Sequence, residues 1–442
     1  MFKLVGVACL AAFATADLSS EIEKEIAPIA AEMAEKYQCA VSIAVLKDTD
    51  QDGFAATAAG GVTDGCTPEG CSSSDGTPTT TDDKFVWGSV TKVLTGTGIL
   101  RLVSKGVLNL DDPIPQHIDP FIKQMKKMNP SQNFSSVADL FGPETEKVTI
   151  EDLLGMKSGI PDYDTASPTG RQPTDVFRQS AYEHPDKSYV PAEMLNLPWC
   201  HTGSLLFPPG VCDREKYGNC YTSTNFVLLG MILAGQAQAT DWDTFDQNSI
   251  LADVLPDFKP PLAYALHGPP VNWTTVKGYD TTHYNHNTKP IDVSKVSGVF
   301  AGWTASDLVG PASDIARLAY DVYAPPYKLV SKKYVDMMYD TSTLTGYGLA
   351  TFNLTRRTGQ YGPDGVAFGH LGATYGYQSI VAYNPAMQFS LAIATNIETD
   401  GQAQPADTMC HVYNAVRAKV RGLPRQNCTF TPGYFSGGCK CH

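Results

Sequence analysis

Segments with β-strand character stand near both ends of this chain, while its middle carries helical patterns and long polar loops. The strand-like segments are residues 39–46, 54–62, 347–353, 378–383 and 389–395. The helical patterns, with apolar positions recurring near every 3.6 residues, are residues 19–37, 90–106, 149–156, 225–237 and 406–420. Because both groups of strands must bury their apolar faces, we expect one sheet built from both ends of the chain.

The predicted fold class is α/β, of the α+β type: an antiparallel sheet flanked by helices, with a mainly helical region inserted. The sheet part should comprise about residues 17–90 and 300–425, and the helical part about residues 91–299. Two long segments rich in proline, glycine and aspartate, residues 160–220 and 238–300, are predicted to wall a cleft.

The N-terminus has the pattern of a secretory signal peptide over residues 1–16. Lys3 precedes the apolar run 4–13, and the small residues at 14–16 form a cleavage site. Because the run is too short to span a bilayer, we expect a secreted protein with no membrane contact after cleavage. An uncleaved N-terminal anchor is the alternative. The mature protein would be a domain of residues 17–425 followed by a cysteine-rich tail, residues 426–442.

Of the 11 cysteines, Cys9 lies in the signal peptide and the others are disulfide candidates in an oxidising compartment. The candidates are Cys39, Cys66, Cys71, Cys200, Cys212, Cys220, Cys410, Cys428, Cys439 and Cys441. Cys66 with Cys71, and Cys212 with Cys220, could close short loops, but the sequence does not fix the pairing. The terminal Cys439-Lys440-Cys441-His442 is more typical of disulfides than of a metal site.

Four sequons predict N-glycosylation at the protein surface; their asparagines are Asn133, Asn272, Asn353 and Asn427. The net charge of −13 argues against a nucleic-acid partner, which would require clustered lysine and arginine. We expect no cofactor and no metal. His283 and His286, close to Asp280, have a spacing that could hold a metal ion on a helix, but their segment has loop composition and lacks the HExxH pattern.

Ser89 and Lys92 form the first candidate catalytic motif. Their spacing of three residues is about one helical turn, so that both side chains face the same way. A serine is a weak nucleophile until a base removes its proton, and a desolvated, neutral lysine can do so. If Ser89 opens a helix, its own backbone N–H can stabilise the charge on an attacked carbonyl oxygen.

Two further motifs could complete such a site. Tyr221 and Ser223 stand two residues apart just before the predicted helix 225–237, and in an extended segment they would project to the same side. His370 and Gly372 would share one face of a strand, where Gly372 would let a substrate pass close to the backbone.

The three motifs together resemble those of the serine β-lactamase and penicillin-binding-protein superfamily, which has Ser-x-x-Lys, Tyr-x-Asn and Lys/His-x-Gly in this order. The similarity is to the branch of class C β-lactamases, D-Ala-D-Ala carboxypeptidases and β-lactamase-like esterases, and it covers about residues 21–420. Other stretches that carry it are residues 108–114, 148–154, 157–161, 207–210, 301–308 and 384–385.

The resemblance implies a serine hydrolase that cleaves an ester or amide bond of a small-molecule or peptide substrate. Ser89 would be the acylated nucleophile, and Lys92 and Tyr221 would handle its proton. Both would need lowered pKa values, and which of them acts as the base is left open. The backbone N–H groups of Ser89 and Ala373 would form the oxyanion hole. His370 would orient the substrate and, if protonated, contact a carboxylate.

Two departures from the family pattern bear on the substrate. Ser223 stands where the family usually has asparagine, and His370 stands where true β-lactamases have lysine. Both favour an esterase or a D-Ala or D-amino-acid peptidase over an antibiotic hydrolase. A true β-lactamase, and a binding protein of this fold with slow or no turnover, are the alternatives. The sequence does not indicate an oligomeric state.

Overall fold

The computed structural model describes residues 4–164, 176–217, 220–252, 262–282, 289–341, 346–400 and 403–430. Its α-helices are α1 (Leu4–Tyr37), α2 (Thr91–Ser104), α3 (Pro115–Met128), α4 (Val137–Phe141), α5 (Ile150–Leu154), α6 (Val176–Glu183), α7 (Pro191–Leu195), α8 (Arg214–Tyr217), α9 (Thr224–Gln236), α10 (Ala312–Tyr323), α11 (Lys332–Tyr339) and α12 (Ala403–Arg421). Its strands are β1 (Val41–Lys47), β2 (Phe54–Gly60), β3 (Cys66–Thr67), β4 (Gly70–Cys71), β5 (Phe85–Val86), β6 (Ala263–Tyr264), β7 (Tyr279–Asp280), β8 (Ile291–Asp292), β9 (Leu308–Gly310), β10 (Phe352–Asn353), β11 (Phe368–Thr374), β12 (Tyr377–Asn384), β13 (Phe389–Thr395) and β14 (Ile397–Glu398).

A six-stranded antiparallel sheet brings the two ends of the chain together, in the order β10-β11-β12-β13-β1-β2. The junction is the pairing of β1 with β13, in which Ile43 lies opposite Ile393. The prediction of one antiparallel sheet built from both chain ends is therefore confirmed.

Both faces of this sheet are covered, and β1 is buried along its whole length. Ile43 and Val45 belong to an apolar cluster that includes Ile26 of α1 and Val412 of α12. Ala44, between them, belongs to the larger cluster that also contains the helical region. Because successive side chains of a strand point to opposite faces, this one strand joins the two parts of the core.

The helical region lies between β5 and β9, as predicted, and α9 is at its centre. This helix is buried along nearly its whole length and packs against α2, α3 and α5. A side chain at Gly230 would place its Cβ 2.0 Å from Oγ1 of Thr304, so the glycine permits close packing there. Thr149 caps α5 by accepting a hydrogen bond from the backbone N–H of Asp152.

Two predicted elements differ in the structure. The first helix does not begin near residue 19 but runs continuously from Leu4, because the apolar run before it continues the helix without a break. The strand predicted at 347–353 is reduced to β10, since Ala350 has a φ of 52°, which interrupts the extended backbone; Tyr347 and Phe352 form an isolated bridge. The predicted domain boundaries and the signal peptide stay predictions.

Three disulfides are formed among the described residues: Cys66–Cys71, Cys212–Cys220 and Cys410–Cys428. The expectation that Cys39 and Cys200 form disulfides was wrong, because both are buried free thiols. They belong to different parts of the core, which explains why an even cysteine count did not pair them. Cys439 and Cys441 lie outside the described residues.

The four sequon asparagines, Asn133, Asn272, Asn353 and Asn427, are all exposed, as a glycan acceptor must be. Glycosylation itself stays a prediction. In the described part of the chain, no helix has both the length and the apolar composition that are needed to cross a membrane.

Candidate active site

Ser89 lies in a tight turn, Gly88–Val90, that leads directly into α2. The preceding residue Trp87 anchors this turn, because its backbone N–H donates to the carbonyl of Leu308 (2.9 Å) and its indole N–H donates to that of Gly310 (2.9 Å). Ser89 is partly exposed, while Lys92, one turn later, is fully buried. Lys92 Nζ lies 2.8 Å from Ser89 Oγ. The predicted pair is therefore brought together at a helix start.

The surroundings of the Lys92 amine disfavour its charged form. Its hydrogen-bond acceptors are neutral: Ser89, Ser223 Oγ at 3.2 Å and the carbonyl of Ala305 at 3.0 Å. The ring centroids of Tyr221 and Phe226 lie 5.2 and 5.7 Å from Nζ, and these contacts by themselves would favour the charged form. Burial lowers the pKa of Lys92 to about 7, although two nearby carboxylates act in the opposite direction. A lysine in this state can accept a proton near neutral pH.

Tyr221 follows Cys220 of the Cys212–Cys220 disulfide, and its hydroxyl is hydrogen-bonded to Ser89. Burial raises the pKa of Tyr221 well above its usual value, and the hydrogen bond to Ser89 only partly offsets this. The expectation that Tyr221 has a lowered pKa was therefore wrong. Its hydroxyl stays protonated, which suits a proton relay rather than the initial base.

Ser223 reaches the site by a different backbone conformation from the predicted extended one. Its φ of −67° and ψ of −26° are helical, and it precedes the first residue of α9. Its hydroxyl accepts the hydrogen bond from Lys92, and its backbone N–H donates to Oδ1 of Asp162 (3.0 Å). The residue that departs from the family's asparagine is thus part of the site.

Strand β11 lies against the turn that carries Ser89. Gly88 has a φ of 52°, and a Cβ on it would lie 2.8 to 3.0 Å from backbone atoms of Ala373. A Cβ at Gly372 would lie 2.0 Å from the carbonyl oxygen of Trp87 and 2.2 Å from Ser379 Oγ. These contacts do not support the expectation that Gly372 makes room for a substrate; they show that this glycine lets β11 approach the turn. Because Gly372 has no side chain, the backbone of the next residue, Ala373, can lie beside Ser89.

His370 is fully buried behind the site, on the same strand. Its Nδ1 is 2.5 Å from the carbonyl of Leu371, so Nδ1 carries the proton and Nε2 accepts a hydrogen bond from the Tyr347 hydroxyl at 2.8 Å. Burial lowers the pKa of His370 to about 3, and Lys92, when it is protonated, acts in the same direction. The imidazole is neutral, and the expected contact of a protonated His370 with a carboxylate is not supported. Tyr347, which the sequence reasoning missed, holds this ring.

The sequence motifs did not predict that two carboxylates lie near Lys92. Asp162 and Asp164, both partly buried, contribute negative potential at Lys92 and at Tyr221. Oδ1 of Asp164 accepts a hydrogen bond from the hydroxyl of Tyr375 (2.8 Å). Burial and the neighbouring Asp164 raise the pKa of Asp162. The signal was present in the sequence, because the two acids directly follow the 157–161 stretch, and paired carboxylates mark many active sites.

Metal candidates elsewhere do not add to this site. Asp407, His411 and Cys428 have potential ligand atoms within 4.8 Å of one another. Cys428 is bonded to Cys410, however, and Asp407 accepts hydrogen bonds from Lys36 (2.5 Å) and Tyr37 (2.8 Å). Two of these three potential metal ligands are therefore already engaged, Cys428 in a disulfide and Asp407 in a salt bridge. His283 and His286 lie outside the described residues, and Asp280, their predicted neighbour, is buried in an ion pair with Arg178.

Comparisons with known proteins concern the family and the fold. A family model described as Beta-lactamase matches residues 30–409. The D-amino acid amidase of Ochrobactrum anthropi SV3, solved with L-phenylalanine amide, superposes with a TM-score of 0.63 and 19% identity over 92% of this chain and 99% of that one. A D-stereospecific amidohydrolase from Streptomyces sp. gives a TM-score of 0.56 and 19% identity, with coverage of 92% and 99%. These likenesses show a shared fold.

A relative in sequence is Protein flp of Staphylococcus aureus, which is 37% identical over 84 residues. The matched segment is 19% of this chain, and it spans only 13% of the length of that protein.

Proposed function

This chain belongs to the Beta-lactamase family, and we propose that it is a serine hydrolase that cleaves an amide or ester bond through an acyl-enzyme on Ser89. One observation carries the proposal: the fully buried Lys92 amine lies 2.8 Å from Ser89 Oγ, and burial lowers its pKa to about 7. A nucleophile within hydrogen-bond distance of a base that is neutral at working pH is the minimal arrangement for acyl transfer.

Acylation follows from this arrangement. Lys92 takes the hydroxyl proton as Ser89 Oγ forms a bond to the carbonyl carbon of the substrate. The negative charge moves to the carbonyl oxygen, where the backbone N–H groups of Ser89 and Ala373 would stabilise it. The intermediate then expels the leaving amine or alkoxide, which must gain a proton. Tyr221 is hydrogen-bonded to Ser89 and protonated, so it can donate that proton and recover one from Lys92.

Deacylation uses the same groups in reverse. Water enters at the position of the departed leaving group and loses a proton to the neutral Lys92 or through Tyr221. Its oxygen bonds to the acyl carbon, and Ser89 Oγ leaves with the returned proton. The products are a carboxylic acid and the amine or alcohol. In the alternative of a binding protein with slow turnover, acylation would occur and this second half would be slow, which would leave the ligand covalently bound.

The charges around the site favour a substrate that bears a free ammonium group. Asp164 places negative potential near Ser89, Asp162 adds to it when ionised, and His370 is neutral because its pKa is lowered. β-Lactams, and peptides cleaved next to their free C-terminus, carry a carboxylate that this negative potential would repel. An α-amino acid amide or ester carries an ammonium that it would attract. The amidase and amidohydrolase names of two structural neighbours support a D-amino-acid substrate.

Secretion is part of the same proposal. Three disulfides, exposed sequons and the N-terminal apolar run support passage through an oxidising secretory compartment.

The test is covalent labelling followed by a substrate panel. A fluorophosphonate should modify Ser89, as located by mass spectrometry, and Ser89→Ala should abolish both labelling and turnover. D-phenylalanine p-nitroanilide should be cleaved faster than its L-enantiomer and at least tenfold faster than its N-acetyl derivative, while nitrocefin should be a poor substrate. Absence of Ser89 labelling would overturn the enzyme assignment. Efficient nitrocefin hydrolysis would instead establish a true β-lactamase.

A further inference from the structure

A buried charge cluster lies beside the proposed site but outside the catalytic groups. It consists of Arg178 on α6, Asp280 on β7 and Glu398 on β14. The two strands pair in parallel, and Glu398 lies opposite Asp280, so that both carboxylates meet the same guanidinium. Arg178 binds Glu398 through two parallel hydrogen bonds of 2.9 Å and Asp280 through one of 2.9 Å. The side chains are 0–7% exposed.

Such a cluster is not explained by stability alone. Desolvating a buried ion pair costs about as much as its attraction returns, and apolar residues of similar size often do as well. This cluster also holds two carboxylates for one guanidinium, and burial raises the pKa of Glu398 to about 7. A specific structural role is therefore the better explanation, and the contacts of the cluster show which segment it holds.

The cluster holds the turn that follows the oxyanion strand. Glu398 Oε2 accepts the backbone N–H of Gly376 at 3.0 Å. The guanidinium of Arg178 stacks on the ring of Tyr375, 4.4 Å from its centroid. Both residues stand between β11 and β12, just beyond Ala373. The turn is thus fixed through its backbone and through its aromatic side chain.

Tyr375 connects this anchor to the proposed substrate site. One face of its ring carries Arg178, and its hydroxyl donates to Oδ1 of Asp164 (2.8 Å). Asp164 in turn contributes to the potential at Lys92 and Tyr221. A continuous path of contacts therefore leads from Glu398 through Arg178 and Tyr375 to a carboxylate that faces the reacting groups.

We propose that Arg178 and Glu398 are positioning residues for substrate specificity: they hold Tyr375 so that its hydroxyl fixes Asp164 to receive the ammonium group of the substrate. This inference rests on the proposed function, since it assumes the ammonium-bearing substrate. It adds a set of residues that act on substrate selection rather than on acyl transfer. A loss of the Tyr375 hydroxyl should therefore raise KM for free-amine substrates more than it lowers kcat.

The experiment uses the full chain and two substrates. Tyr375→Phe removes only the hydroxyl and keeps the ring on Arg178. We expect KM for D-phenylalanine p-nitroanilide to rise about tenfold, which is the loss of one hydrogen bond to a charged group, with kcat within threefold of the unmodified protein. The ratio of kcat/KM for this substrate to kcat/KM for p-nitrophenyl butyrate, which has no amine, should fall about tenfold.

Tyr377→Phe is the matched control, because that neighbouring tyrosine is equally buried and its hydroxyl donates to the carbonyl of Val276 (3.0 Å), away from the site. It should leave the substrate ratio unchanged. Arg178→Lys keeps the charge but loses the two-pronged pairing and the stacking, and it should lower the ratio in the same direction. If this variant does not fold, Glu398→Gln takes its place as the test of the anchor and should lower the ratio in the same direction, while Tyr375→Phe tests the hydroxyl.

The possible failures are distinguishable. If the unmodified protein is not labelled at Ser89 or does not prefer the free amine, the proposed function fails. If it is labelled and does prefer the free amine, but Tyr375→Phe leaves the substrate ratio within twofold, this inference is wrong and the function stands. An equal fall of the ratio in Tyr377→Phe would also overturn it, because the effect would then be general to the turn.

Discussion

The acylation of Ser89 should depend steeply on pH below neutrality, because it requires neutral Lys92. An ordinary lysine, with a pKa near 10.5, is neutral in about 3 of 10,000 molecules at pH 7. In this protein burial lowers the Lys92 pKa to about 7, so about half of the molecules carry the free base at pH 7.

The acylation rate should fall as the pH is lowered. Lowering the pH below the pKa protonates Lys92 and removes the base, so the rate should fall about tenfold for each pH unit once the pH is well below 7. Between pH 7 and pH 5 the neutral fraction drops from about one half to about one in a hundred, or about 50-fold. Above pH 8 the rate should level off.

The assay is the second-order rate of Ser89 labelling by an uncharged fluorophosphonate across pH 5 to 9. This probe carries no titratable group, so the profile reports on the protein alone. Lys92→Arg should lower the rate by about 10³-fold or more at pH 7, because a guanidinium does not release its proton in this range. Lys47→Arg is the matched control, since Lys47 is another buried lysine, on β1.

Two results would refute this reasoning. A labelling rate that changes less than threefold between pH 5 and pH 7 would show that neutral Lys92 is not required. A profile that still rises about tenfold between pH 8 and pH 9 would show that burial does not lower the pKa of the amine. In either case the base assignment would move to another group, with Tyr221 as the first candidate.

Three further outcomes are expected. Gly372→Ala should abolish activity while the protein still folds, measured by Ser89 labelling against far-UV circular dichroism, because its Cβ would collide with the Trp87 carbonyl at 2.0 Å and push β11 from the turn. Replacing Cys212 and Cys220 by serine should destabilise the protein by about 2–3 kcal/mol, through loop entropy, in a thermal-shift assay. It should also lower kcat, because Tyr221 is adjacent to Cys220. The same replacement of Cys66 and Cys71 is the matched control and should leave kcat unchanged in a turnover assay. Tyr347→Phe should lower kcat several-fold with little change in KM, because the buried Nε2 of His370 loses its hydrogen-bond donor (2.8 Å) behind the site.

The Ser89–Lys92 motif and the sheet could be predicted because both depend on local sequence. The β-forming residues of β1 and β13 indicated the strands, and the three-residue spacing of Ser89 and Lys92 indicated the pair that lies 2.8 Å apart in the structure. Prediction failed where a conformation depended on distant neighbours. Ala350 interrupts a strand, and Gly372 faces the Trp87 carbonyl rather than a substrate; no local pattern contains that information.

The pKa values of Lys92 and Tyr221 also depend on features that no local pattern contains. The sequence identified Lys92 and Tyr221 as a pair but gave them the same lowered pKa. Burial acts oppositely on the two groups, because it disfavours the charged form of each: it lowers the pKa of an amine and raises that of a phenol. The depth of burial is a property of the packed chain, so only the structure distinguishes the two groups, and our proposal that Lys92 is the base rests on that difference.

The sequence by itself determined the order of strands and helices, the three motifs and the family resemblance, since these depend on residue types and short spacings. Only the tertiary structure decided which charges meet at the site. Asp162, Asp164 and Tyr375 come from segments more than two hundred residues apart, and Arg178 and Glu398 are likewise joined across 220 positions. Electrostatic energies depend on distance in space and on burial, and neither can be read from positions along the chain.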